Sequence, residues 1–308
     1  MKILNWLFPV LLIFVSSCET FFELEIPESA PRLVINALLE PSSPIFVHVS
    51  SSNSILEENE FEIVNDAVVT ISDEGGKIQT LEFVELEDYM PNYGYYSTET
   101  FDLVPGSTYT IETSKTGFET ATSLTKIPGQ PKIKSFSYEL LPFEEGIDLN
   151  NKYPEMEFTL VFDDPGGENY YEIDLYFEGS RVEYDQEGNP YETIYRQFAY
   201  LDSKNPAYDQ DYHIEPGLVI NDLLFDQQEA SIDFQTYIPP RLDMKVKVYL
   251  REITEESYRY GTSVSLQKGN RGDPLSQPVQ VFSNIKNGFG ILRARNSTYL
   301  EDSIFMAK

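Results

Sequence analysis

Ala67-Val68-Val69-Thr70-Ile71-Ser72-Asp73-Glu74-Gly75-Gly76 is the stretch from which the fold can be read. Ala67, Val69 and Ile71 alternate with Val68, Thr70 and Ser72. A period of two places alternate side chains on opposite faces of an extended chain, as in a half-buried strand. Asp73-Glu74-Gly75-Gly76 supplies turn chemistry, and Lys77 to Val84 returns as a second strand. Outward from this pair the same signature recurs at Arg32–Leu39, Ile45–Ser51, Tyr93–Glu99 and Thr120–Lys126. After the turn at Pro105-Gly106, Tyr109 and Ile111 alternate with Thr110 and Glu112. About seven short strands in roughly a hundred residues predict an immunoglobulin-like β-sandwich over residues 31–127.

Ile127-Pro128-Gly129-Gln130-Pro131 breaks the pattern. Two prolines in four residues favour extended, semi-rigid chain, so the expected domain boundary falls here. Residues 132–308 read as a larger, mostly β domain with one or two helices. Tyr171, Ile173, Leu175 and Phe177 alternate with polar or amphipathic residues, as do Val246, Val248 and Leu250 between Lys245, Lys247 and Arg251. A helix is predicted over Glu255–Lys268: Glu255 and Glu256 suit its first turn, and Ile253, Tyr260 and Val264 share a face. Gly269 can terminate it, while Gly261 weakens its interior. No internal repeat interrupts this organisation.

The 308 residues contain 22 Lys+Arg and 51 Asp+Glu, a formal charge of −29. Such a surface repels phosphates and anionic membrane faces, so nucleic acid is not an expected partner. With 41% hydrophobic and 14% aromatic residues, the chain has the means to build cores. The abundance of Tyr (21) and Phe (20) suits strands and half-exposed contact surfaces.

Cys18 is the only cysteine, so no intrachain disulfide can form. Before it stand Lys2 and the apolar run Ile3–Val15, interrupted by Asn5 and Pro9. That run falls short of the roughly 20 residues needed to span a bilayer, but it fits the h-region of an export signal. Val15-Ser16-Ser17-Cys18 matches the lipobox of bacterial lipoproteins, in which the thiol is acylated and the signal is cut just before it. A signal over 1–17 and a lipidated tether over 18–30 follow. The competing reading, a small buried cysteine, is disfavoured because the segment has no other evident role.

Hydrolytic machinery is hard to find. His48 lies in a predicted strand and His213 in the acidic-aromatic loop Tyr208–Glu215, neither with metal-ligand spacing to another His or Cys. Nucleophile elbow, Walker loop and dinucleotide fingerprint are all absent. Among so many carboxylates a chance dyad is expected, and only a measured separation in a cleft gives it meaning. The most distinctive acidic stretch is Phe162 to Tyr171, with Asp163, Asp164, Glu168 and Asn169 around Gly166-Gly167. Close oxygen ligands in a Gly-rich turn are a candidate calcium loop. An Asp-Pro-Gly turn whose side chains cap backbone N–H groups is the alternative, and the favoured one. Arg271-Gly272-Asp273 reads as a turn start before Pro274, and Asn296-Ser297-Thr298 has the glycosylation acceptor pattern of secreted eukaryotic proteins, a context the lipobox opposes.

Several blocks together resemble a Bacteroidota family of outer-membrane lipoproteins, domain of unknown function 4249. They are Cys18 with acidic residues after it, Asn65 to Ile71, Asp164 to Tyr171, and Val281 to Ile291. The last, Val-Phe-Ser-Asn-Ile-Lys-Asn-Gly-Phe-Gly-Ile, is the most specific, and the resemblance spans essentially the whole mature chain. In that block Asn284, Asn287, Gly288 and Gly290 read as a tight structural loop, glycine permitting positive φ or close backbone approach. Asp302-Ser303-Ile304 resembles the Asp-Ser/Thr-aliphatic acceptor of Bacteroidota O-glycosylation, which makes Ser303 a candidate site.

The resemblance implies a carboxypeptidase-regulatory-like N-terminal sandwich and a role beside TonB-dependent β-barrel transporters, and it transfers no catalytic residue. The expectation is an outer-membrane lipoprotein held in the bilayer by acylated Cys18, the cell surface being favoured over the periplasmic face. Glu19-Thr20-Phe21-Phe22-Glu23 is only a loose version of the acidic surface-export signal of such lipoproteins. Its expected function is that of a non-enzymatic accessory subunit of a transporter. A glycan-binding lipoprotein, or one taking a peptide ligand, is the alternative, and a carboxylate-based hydrolase ranks last.

Overall fold

The computed structural model describes residues 30–53, 62–86, 93–141, 155–208, 217–238, 243–270, 276–277 and 279–305. Cys18, the signal and most of the tether, His213, and Arg271 to Asp273 lie outside these residues. The described chain is mainly β with one helix. Its first eight strands are β1 (Leu33–Leu39), β2 (Ile45–Ser51), β3 (Val68–Asp73), β4 (Ile78–Thr80), β5 (Glu82–Glu85), β6 (Gly94–Thr98), β7 (Thr108–Ser114) and β8 (Ala121–Lys126). There follow β9 (Lys132–Leu140), β10 (Glu155–Asp163), β11 (Tyr170–Tyr184), β12 (Pro190–Phe198), β13 (Asp202–Ser203), β14 (Leu218–Asn221), β15 (Glu229–Tyr237), β16 (Asp243–Ile253), helix α1 (Glu255–Gly269) and β17 (Phe289–Phe305).

Alternation determines the layers. In β1 every second residue from Leu33 to Leu39 is buried, and β2 repeats this from Ile45 to Ser51. These strands join a long sheet of order β12-β11-β16-β17-β1-β2-β6-β5, with β14 also paired to β11. Two four-stranded sheets complete the structure, β4-β3-β7-β8 and β13-β15-β10-β9. One core joins Leu33, Ile35, Val47, Val69, Ile71 and Ile111, and so fills a sandwich within the N-terminal half. The other joins Phe158, Phe162, Tyr171, Phe177, Phe234 and Val248. There Phe158 stacks between Phe136 and Phe234, with ring centroids 5.7 Å away on each side.

One core draws mostly on residues before the proline step and the other on residues after it. The chain from Pro31 onward clusters as one. Strand β17 is the reason. Its 17 residues reach roughly 56 Å at about 3.3 Å each, far beyond an ordinary strand. Near its start Leu292 and Ala294 enter the N-terminal core, and Ile304 near its end enters the other. It pairs in parallel with β1 from Val34↔Phe289 to Leu39↔Ala294, and antiparallel with β16. The proline step is also bound to this strand: Asn296 Nδ2 donates to the Pro128 carbonyl (3.1 Å) and Gln130 Nε2 to the Ser297 carbonyl (3.1 Å). A chain of ion pairs runs along the sheet and reaches the N-terminal half at Glu40. Arg251 on β16 meets Asp174 and Glu172 on β11, and Arg295 on β17 reaches Glu172 (3.5 Å) and Glu40 at the end of β1 (2.9 Å).

Two local expectations change. Lys77–Val84 is not one strand: β4 pairs with β3 in one sheet and β5 with β6 in the other. Buried Leu81 is the corner, its N–H donating to the Val69 carbonyl (2.9 Å) as the chain crosses between layers. Helix α1 is where expected, but Gly269 is its last residue. Asn270 closes it by donating its N–H to the Leu266 and Lys268 carbonyls. Its start is capped by Thr254, whose side chain accepts from Ser257 N (3.3 Å).

Candidate functional site

The acidic turn between β10 and β11 was the leading site in the sequence, and the structure redistributes its residues. Asp163 leaves the turn to pair with Lys134 (2.5 Å), and Glu168 accepts from the Tyr170 hydroxyl (2.5 Å). Asp164 turns inward. Its Oδ2 accepts from Gly166 N (3.0 Å) and Gln227 N (2.9 Å), and its Oδ1 from the Tyr171 hydroxyl (2.6 Å). Two aspartates from a distant loop join it: Asp222 accepts from Asn169 N (2.7 Å) and Asp226 from Gly167 N (3.0 Å). Carboxylate oxygens of Asp164, Asp222 and Asp226 converge within 4.8 Å of one another. Of the four residues the sequence offered, only Asp164 belongs to this trio. Asp222 and Asp226 were not legible because more than fifty positions separate them from the turn in the chain and only β14 with its loop brings them back.

Burial governs the electrostatics here. It raises the Asp222 carboxyl above the ordinary range, with the Asp164 and Asp226 charges adding to it. Burial likewise pushes Glu252 up to about 7, although Asn169 Nδ2 donates to it (3.3 Å). The Tyr170 and Tyr171 hydroxyls are raised by burial and by the carboxylates of Glu168 and Asp164. Each trio carboxylate accepts at least one backbone N–H, which is the chemistry of a built turn. The same oxygens could ligate a hard cation such as calcium.

The second named block is an anchoring hook. Asn284 pairs with Leu292 in both directions, Nδ2 donating to its carbonyl (2.8 Å) and Oδ1 accepting from its N–H (2.9 Å). Lys286 and Thr122 exchange backbone hydrogen bonds, and Asn287 Nδ2 donates to the Thr120 carbonyl (3.2 Å), so the loop grips β8 of the N-terminal half. Asn287 adopts φ +60° and Gly290 φ +95°. Gly288 is needed for close approach: a Cβ there would lie 2.6 Å from the Leu33 carbonyl oxygen. Ser303 is exposed on β17, its carbonyl accepting from the Tyr138 hydroxyl (3.2 Å). Asn296 is buried.

A third arrangement comes from strand order and not from any motif. On the outer face of the long sheet, Phe198, Tyr176, Tyr249 and Tyr299 form a row across β12, β11, β16 and β17. Successive ring centroids lie 4.1, 5.3 and 5.3 Å apart. Phe198 and Tyr299 are exposed at its ends. Charges rim it: Arg196 pairs with Glu178 (2.9 Å), and Lys245 and Lys247 both pair with Glu301 (2.9 Å each). The sequence signal was alternation alone, since each ring sits at an outward position of a different strand.

The architecture is that of a mainly β, sandwich-type protein carrying a rimmed aromatic face and a closed acidic turn. Residues 19–300 match the family described as a domain of unknown function (DUF4249), and the chain belongs to that family. None of the proteins with curated functions is significantly similar to it.

Proposed function

We propose that this is an outer-membrane lipoprotein, anchored through acylated Cys18, which serves as a non-enzymatic accessory binding or assembly subunit of a TonB-dependent β-barrel transporter. The row Phe198–Tyr176–Tyr249–Tyr299 is the observation that supports this reading. Aromatic side chains closely packed at the centre and ringed by charges have the composition of a protein-docking hot spot. Their planes meet at 49°, 71° and 34°, so they offer no common flat platform of the kind that stacks on sugar rings. A lipid tether would confine the protein to the membrane plane, where modest contact affinity suffices for stable pairing.

The test is a mild-detergent pull-down from native membranes, comparing the unaltered protein with Tyr176→Ala/Tyr249→Ala. A β-barrel co-purifying with the first and lost from the second is the expected result, with no turnover of glycoside, ester or peptide substrates. Release of the protein alone, together with a specific glycan-array ligand, would move the reading to a glycan-binding lipoprotein. Turnover abolished by Asp164→Asn would instead indicate a hydrolase.

A further inference from the structure

Next to the aromatic row, on the same face of the long sheet, lies a groove of about 530 Å³ between β17, β1, β2 and helix α1. Alternation builds it. Leu292 and Ala294 point into the N-terminal core, so Ile291, Arg293 and Arg295 face the other way. Register then lays the neighbouring strands beside them. Ile291 aligns with Asn36 and His48, and Arg293 with Leu38 and Phe46. Tyr260 of α1 forms part of the wall.

The charges in this groove do not balance. Arg295 is matched by Glu40 (2.9 Å) and approaches Glu172 (3.5 Å), and Glu40 is further engaged by the Ser297 hydroxyl. Arg293 has no such match. Among the described residues its Nε is buried without a hydrogen-bond partner and its guanidinium makes no ion pair. A planar fork of donors left unsatisfied in a partly dehydrated site is suited to a bidentate anion. Arg293 combines this with a place inside a concave groove rather than on the open surface. The overall negative charge does not forbid anion binding there, because exposed charges beyond about 8 Å are largely screened at physiological ionic strength. Phe46, exposed at the groove edge, with Leu38 and Ile291 adds apolar surface beside the guanidinium.

We propose that this groove is a binding site for a carboxylate that carries an apolar group, with Arg293 as its anion anchor. Its volume lies within the range of small-ligand sites. A free aromatic acid and the C-terminus of a peptide ending in an apolar residue share this chemistry. The site stands independently of the transporter reading.

The experiment follows the Arg293 Nε–H resonance of the full mature chain during titration with phenylacetate, with a peptide ending in free phenylalanine, and with the same peptide amidated. At least one of the two acids should shift that resonance saturably, and the amide should bind about tenfold or more weakly. Saturation by phenylacetate alone assigns a small-molecule site; saturation by the peptide acid assigns a chain terminus. Arg293→Gln should weaken acid binding, read by calorimetry, by about ten- to a hundredfold, and Arg293→Lys by less. Unsaturable titration by both acids, or equal affinity for acid and amide, would overturn the proposal. If Arg293→Gln does not fold, the acid-against-amide comparison on the unaltered chain decides.

Discussion

Gly290 lies directly against Ile35 across the parallel β1–β17 pair. It holds φ at +95°, and a Cβ there would fall well inside 3.0 Å of the Ile35 carbonyl. Gly290→Ala combines left-handed strain, about 1–2 kcal/mol, with overpacking against backbone that cannot yield. The expected loss is about 3 kcal/mol by denaturant titration. Gly106→Ala is the control: its φ of +84° is comparable, but no described residue lies within 4 Å of the added methyl, so only the strain contribution should appear.

Cutting the chain at the proline step should not yield two folded halves. A fragment ending at Pro128 loses β17, the parallel neighbour of β1, and with it Leu292 and Ala294 from its core. Circular dichroism on fragments 27–128 and 131–308 should show the first without cooperative unfolding alone. Independent cooperative melting of both fragments would contradict the shared-strand account.

Asp164→Ala leaves the N–H groups of Gly166 and Gln227 and the Tyr171 hydroxyl without their acceptor. Such a buried loss is expected to cost about 2–4 kcal/mol. Calcium should move the melting temperature of the unaltered protein little, since the trio already accepts backbone donors. Real binding at a hundred times Kd would add about 2.7 kcal/mol, a shift easily seen by calorimetry.

Stability should fall as pH rises through neutrality. Burial pushes the Glu252 carboxyl to about 7, above the 4.5 of a free glutamate, so between these values the folded state holds a proton that the unfolded chain has released. This contribution is complete below about pH 4.5 and is lost as pH climbs past 7. Protonation also places a donor beside Asn169, whose Oδ1 is buried without a partner among the described residues. After allowance for solvent screening the change is of order 1 kcal/mol, and Glu252→Gln should flatten the profile measured by urea denaturation.

Cys18→Ala should move the protein from the membrane to a soluble or uncleaved form. Palmitate labelling that persists in this variant would sink the lipoprotein assignment.

Much of the architecture was legible from alternation, because a period of two reflects a local constraint: successive side chains of an extended chain must face opposite ways. Leu33 to Leu39, Val246 to Leu250 and Tyr171 to Phe177 therefore announced their strands and buried faces. Glu255 and Glu256 announced a helix by the same kind of local chemistry. The corner at Leu81 is not legible in the sequence because crossing between sheets leaves periodicity almost unchanged.

By itself, then, the sequence determined a mainly β chain, the helix that begins at Glu255, a single cysteine and a strongly acidic composition. Only the tertiary structure decided which distant residues meet. It brought Asp222 and Asp226 to Asp164, drew four aromatic rings from four strands into one row, left Arg293 without an ion pair among the described residues, and gave one long strand to both cores. The physical reason is that periodicity states which way a side chain points. Strand order and register determine what stands opposite it, and they are settled by contacts between residues far apart in the chain.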